Sequence, residues 1–201
     1  MRSAARDRAR SDRRRDALPL AAQQLSFTEM IDHASALALL RSYGLKEKRI
    51  EHSIGVAEFA QKLAERIASR HPELEIDPAK VSIAGLLHDI GRSRDGDHEL
   101  NSIDILRAEG LSEIAAMVMH GTLYEMGIMR GEENPDHLPH SIENKIVAYA
   151  DARFRLEVIS LKERIDDIKA RYADNPVKVK AVETARLRFL EMEKELMELA
   201  G

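Results

Sequence analysis

Apolar residues recur along this chain at steps of three and four, and nowhere in strict alternation, so the pattern predicts helices throughout and no strands. Ser26-Phe27-Thr28-Glu29 reads as a capping box opening a first helix whose stripe is Met30, Ala34, Leu37, Ala38 and Leu40, with Gly44 as its stop. A second helix is expected from about Lys46 to Arg70, carrying Ile54, Ala57, Ala60, Leu63, Ala64 and Ile67 and ending before Pro72. Asp77-Pro78 starts a third, which carries Val81 to Asp89. His98 opens a fourth, through Ile103, Ile105 and Leu106 to Gly110. Ser112 caps a fifth, with Ile114, Ala115, Val118 and Met119 inward and His120 at its end. Residues 121–140 read as a long loop with a short helix, and a sixth helix begins after Ser141, carries Asp151 and continues to about Ala173. From Val158 the apolar positions run 158, 161, 165, 168 and 172, then 182, 185, 189, 192, 196 and 199. That heptad spacing predicts a helical hairpin, packing either on its own domain or on a second copy in a homodimer.

Composition narrows the chemistry. With 201 residues, 44% hydrophobic, the chain is long enough for one domain with a core plus extensions. It has no cysteine, so disulfides, thiolate metal sites and cysteine nucleophiles are excluded and any metal must sit among His, Asp, Glu and water. The net charge is −4; residues 1–16, with seven arginines against three aspartates, contribute +4 and leave −8 for the rest. An acidic body speaks against nucleic acid as the main partner. No apolar run approaches the roughly 20 residues that span a bilayer. The basic head lacks the apolar core of a secretory signal, so the expectation is a cytoplasmic protein with a disordered tail over 1–25.

The stretch Leu86-Leu87-His88-Asp89-Ile90-Gly91 stands out, because an apolar run delivers two metal-competent side chains to a point where a glycine stops the helix. Burying an imidazole and a carboxylate without partners costs several kcal/mol, and a shared cation removes that cost. His52 upstream and Asp151 downstream, each on its own predicted helix, complete a set of two imidazoles and two carboxylates suited to Mn, Fe, Mg, Ni or Zn. Adjacent residues diverge by about 100° on an ideal helix, so His88 and Asp89 can meet one ion only near the helix end. Taken singly, each histidine also has the ordinary reading of a hydrogen-bonded structural residue.

His52, His88-Asp89 and Asp151, in that order, resemble the signature of the HD-domain metal-dependent phosphohydrolases. His52-Ser53-Ile54-Gly55-Val56-Ala57 is similar to the family's first-histidine helix, Lys145-Ile146-Val147-Ala148-Tyr149-Ala150-Asp151 to its last, and His88–Gly91 matches the HDIG variant. The resemblance covers roughly 46–156. It implies an all-α bundle of about six to eight helices over 26–156, with 157–201 as a C-terminal extension. It further implies one or two divalent cations per chain, the second held by His98 and His120 with Asp89 bridging; the ordinary readings are a loop histidine and a helix-end histidine. The implied activity is hydrolysis of a small phosphoester, a nucleotide above all, by metal-activated water, with Asp89 as ligand or general base. Phosphate also needs cations, and Arg92 and Arg94 follow the pair directly, with Lys145 and Arg153 as weaker candidates. The cyclic-di-GMP branch is disfavoured because no Gly-Tyr-Pro motif is present, and the tail lacks the Glu-Pro and arginine pattern of the tetraphosphatase branch. The alternative is a non-catalytic metal-binding HD module with a regulatory or assembly role.

Overall fold

The computed structural model describes residues 31–201. The capping box expected at Ser26 and the basic head lie outside the described residues. Asp32 caps α1 (His33–Ser42), accepting from the Ser35 amide at 2.7 Å. This helix buries Ala36 and Leu40 and leaves Ala34 and Ala38 exposed. Its inner face is therefore turned from the expected stripe, towards the third helix on which it packs.

The core is built on three helices: α2 (Glu47–Arg70), α3 (Pro78–Leu87) and α7 (Ile142–Arg153). Asp77 caps α3 through the Ala79 and Lys80 amides, as Asp-Pro foretold. Residues Val81 to Leu87 are buried on every side, which a helix achieves only at the centre of a bundle. α2 crosses α3 closely because Gly85 has no side chain; a Cβ there would stand 3.0 Å from the Ala57 Cα.

Between α3 and α7 the chain departs from the periodicity. α4 (His98–Ala108) begins and ends where expected, but α5 is only Ser112–Ala115. Val118, Met119 and His120 are buried outside any helix. The cause is competition from side chains. The amides of His120 and Gly121 donate to Glu99 Oε2 at 3.0 and 2.7 Å, and the carbonyls of Met117 and Met119 accept from Asn144 Nδ2 at 2.8 and 2.7 Å. With these groups satisfied by buried partners, the backbone needs no further helical turn. Within the expected long loop stands α6 (Leu123–Arg130), followed by a single 3₁₀ turn at Pro135–His137.

The helix expected to run to Ala173 stops at Arg153. A tight turn, closed by one antiparallel bridge between Phe154 and Val158, separates α7 from α8 (Leu161–Arg171). Ser160 and Glu163 form a capping box that starts the new helix, which the apolar pattern passed over. α9 (Pro176–Ala200) lays Val182, Ala185, Phe189, Met192 and Leu196 onto α2, α6, α7 and α8. The heptad positions of this last helix therefore face the body of its own chain. Among the described residues there are nine α-helices and no strand, and no helix is long and apolar enough to cross a membrane.

Candidate metal centre

His88 and Asp89 straddle the end of α3. His88 keeps helical angles (φ −54°, ψ −34°), whereas Asp89 turns to φ −100°, ψ 10° and opens a 3₁₀ turn over Ile90–Ser93. That break lets neighbours that would diverge on a helix share one space. His52 comes from the second turn of α2, Asp151 from the last turn of α7, His98 from the first turn of α4, and His120 from the non-helical segment held by Glu99 and Asn144.

These six side chains converge. Asp151 Oδ1 lies 3.0 Å from His52 Nε2 and 3.7 Å from His88 Nε2. Asp89 Oδ1 lies 3.8, 3.5 and 3.6 Å from the Nε2 atoms of His88, His98 and His120. His52, His88 and Asp151 form one donor triad and His88, Asp89 and His120 a second, each with its atoms within 4.8 Å of one another. Donors at right angles around an ion with bonds of roughly 2.1 Å stand about 3 Å apart, and wider angles bring them to about 4 Å. The separations fit.

The hydrogen bonds indicate which nitrogens are free. His88 Nδ1 lies 2.7 Å from the Gly85 carbonyl and His120 Nδ1 2.7 Å from the Val118 carbonyl, so each Nδ1 donates and each Nε2 presents a lone pair. His98 Nε2 stands 3.2 Å from His120 Nε2 and 2.9 Å from Arg92 Nη2, which has only donors. His88 Nε2 and Asp89 Oδ1 are buried with no hydrogen-bond partner. An unsatisfied buried acceptor costs about 1–3 kcal/mol, and here several acceptors face one another. A divalent cation is the group that satisfies all of them, so the donor set fits one.

Cationic side chains close the outer side. Arg92 Nε donates to Asp89 Oδ2, and Arg164 of α8 reaches Asp151 Oδ1 and Oδ2 at 3.2 and 3.4 Å. Burial raises the Asp89 carboxyl, but the charges of His88, His120 and Arg92 outweigh it and hold the group well below the usual carboxylate range. Asp151 follows the same logic: burial is overcome by Arg164, by the hydrogen bond with His52 and by the nearby His88 imidazole. Burial, with His120 and Arg92 alongside, pushes the His98 imidazole down to about 3. His120 shifts upward, because Glu99, Asp151 and Asp89 together outweigh its burial.

Three of the cations expected at the site lie elsewhere. Arg94 is exposed, its guanidinium 6.0 Å from the centre of the Tyr43 ring. Lys145 pairs with Glu195 of α9 at 2.8 Å, and Arg153 with Tyr149, Glu193 and the Ile159 carbonyl. Both belong to the fastening of α9 onto α7, where burial and Glu193 also push the Tyr149 hydroxyl up to about 12. Sequence reasoning missed Arg164 and Glu99. Arg164 had a signal, since it follows Leu161 by three residues and so shares the inner face of α8. Glu99 had none, because its burial depends on the segment across from it.

A family profile described as HD domain matches residues 49–156, just over half of the chain and all six converging residues. The chain belongs to the HD-domain family. An uncharacterised protein of Methanocaldococcus jannaschii is similar to this HD-domain chain, 32% identical over 160 residues, covering 76% of the chain and 93% of the relative. Two proteins named tRNA (cytidine(56)-2'-O)-methyltransferase, from Picrophilus torridus and Thermoplasma volcanium, are each 28% identical over 178 residues. The HD-domain chain is covered to 85% in those alignments but spans only 48% of each methyltransferase. No solved structure matches it.

Proposed function

We propose that the chain is a metal-dependent phosphohydrolase that hydrolyses a phosphoester or phosphoanhydride of a small molecule, a nucleotide above all. The observation that carries this reading is the pair of buried, unpartnered acceptors His88 Nε2 and Asp89 Oδ1, set where the two donor triads meet. His52, His88, Asp89 and Asp151 would hold a first cation, and His98 and His120, sharing Asp89, a second. An imidazole nitrogen has one lone pair, so His88 serves a single cation. A divalent cation in this position supplies acidified water and a polarised phosphoryl oxygen. The protein groups do the remaining work. Asp89, kept ionised by its neighbours, is the carboxylate placed to take a proton from the attacking water. Arg92 lines the cavity beside it, where it can donate to a phosphoryl oxygen. Arg164 orients Asp151.

The test is metal analysis of gently purified full-length protein, followed by phosphate release from a panel of nucleotides and a general phosphodiester. Release that requires a divalent cation and stops with chelator is expected. If the metal-loaded protein turns over nothing in the panel, the reading falls in favour of a regulatory or assembly module. The two methyltransferase relatives favour a second reading, in which the phosphoester belongs to an RNA, and tRNA is therefore an arm of the same panel.

Acid should weaken metal binding through His120. A ligating imidazole must be neutral, and His120 holds its proton to a higher pH than the ordinary 6.5. His98 and the two aspartates remain in their ligating forms under mild acid. Affinity is therefore lost as pH falls, approaching tenfold per unit once His120 carries the proton. Metal titrations at pH 8, 7 and 6 check this, and a flat profile would contradict it.

A further inference from the structure

α8 and α9 lie beyond the segment that matches the HD profile, yet they wall the cavity that opens on the metal centre. The centre lines it with Arg92, His98, His120 and Asp151, and the C-terminal helices with Ile165, Ile168, Tyr172, Lys178, Val182 and Phe189. Its volume is about 320 Å³, at the small end of the roughly 300–1,000 Å³ typical of ligand sites.

Four cationic side chains line this space, and three already have partners: Arg92 with Asp89, Arg164 with Asp151, and Arg171 with Asp167. Lys178 differs. Among the described residues no carboxylate stands within 4.0 Å of its ammonium, whose hydrogen bond goes to the Thr122 hydroxyl at 2.8 Å. An ammonium has three donors, so two remain for a ligand. Thr122 is two residues from His120, so this uncompensated charge is anchored beside the centre. α9 also starts here, capped by Asn175, and its N-terminal dipole carries the same sign. The inner faces of α8 and α9 around Lys178 are apolar.

We propose that the α8–α9 hairpin makes the centre selective for a small phosphate ester bearing a second anionic group, with Lys178 as the counter-charge for that group and the apolar wall for the organic part. This deepens the phosphohydrolase reading and rests on it for the placement of the first phosphate. The alternative, a lysine that merely ties α9 to Thr122, predicts no discrimination between anions.

The experiment is calorimetric titration of metal-loaded, full-length protein with inorganic phosphate and inorganic pyrophosphate. Lys178→Gln is expected to weaken pyrophosphate binding about tenfold, the effect of losing one charge-assisted hydrogen bond. Phosphate binding should change by less than about twofold, since a single phosphate sits at the cations. Lys178→Arg should keep the preference, and the Tm of each variant verifies folding. Unchanged pyrophosphate binding in Lys178→Gln, or equal weakening for both anions, overturns the proposal. Phosphate release is read separately. Turnover without an effect of Lys178 on discrimination removes the subsite and spares the hydrolase; discrimination without turnover does the reverse.

Discussion

Asp89→Ala is expected to abolish phosphate release, with kcat/KM falling on the order of 10³-fold or more. One carboxylate touches both halves of the centre: its Oδ1 stands within 3.8 Å of three imidazoles, and its Oδ2 holds Arg92. Removing it leaves His98 Nε2 and His120 Nε2, 3.2 Å apart, with no anion between them and the other histidines. Metal content should fall together with activity. Asp89→Asn keeps the shape and can still accept from Arg92, so it separates loss of charge from loss of fold. A full complement of metal and near-native phosphate release in both variants would sink the assignment of Asp89.

Gly91→Ala should be the most damaging single methyl in the protein. A Cβ at Gly91 would fall well inside contact distance of the His98 carbonyl oxygen and the Ser102 amide, and 2.8 Å from the Asn101 Cβ. The first two are backbone atoms of α4 and cannot swing aside. To make room, α4 must separate from the turn that follows Asp89. That motion breaks the bond from the Gly91 amide to Ser102 Oγ at 2.9 Å and the one from Ser102 Oγ to the His88 carbonyl at 2.7 Å. Overpacking together with two buried hydrogen bonds amounts to about 3 kcal/mol, or a Tm lower by roughly 6–12 °C for a domain of this size. His98 is displaced with α4, so metal affinity should fall as well. Calorimetry of the metal-free and metal-loaded variant tests both effects, and a Tm within about 1 °C of the parent in either state would refute the steric argument.

Gly91 also shows how far the sequence could be read. It was read as the stop of a helix running to Asp89, but α3 ends at Leu87 and Gly91 lies inside the 3₁₀ turn that follows. The need for glycine comes from a helix that arrives seven residues later, which no local pattern encodes. α2 and α9 were legible because burial on one face imposes a 3.6-residue rhythm on their sequences, whereas α3, buried on every side, was legible from its Asp77-Pro78 start and its apolar run. α5 was read too long because Val118 and Met119 are buried as a helix would bury them, while Glu99 takes the amides of His120 and Gly121 and Asn144 the carbonyls of Met117 and Met119 from a distance. The convergence of His52, His88, Asp89, Asp151, His98 and His120 was foreseeable from the family resemblance, whereas of the cations only Arg92 stands where it was expected. Arg94, Lys145 and Arg153 were chosen for nearness in sequence, and their side chains answer to surface and interhelical partners. Arg164, which does reach Asp151, sits beyond a turn that the apolar pattern hid.

Asn144 and Asp151 stand two turns apart on α7, one gripping the strip that presents His120 and the other facing His52 and His88. A rigid helix moves both ends together. Any sliding of α7 therefore carries the two sides of the centre in concert, and the ion's surroundings tighten or slacken as one mechanical unit instead of ligand by ligand.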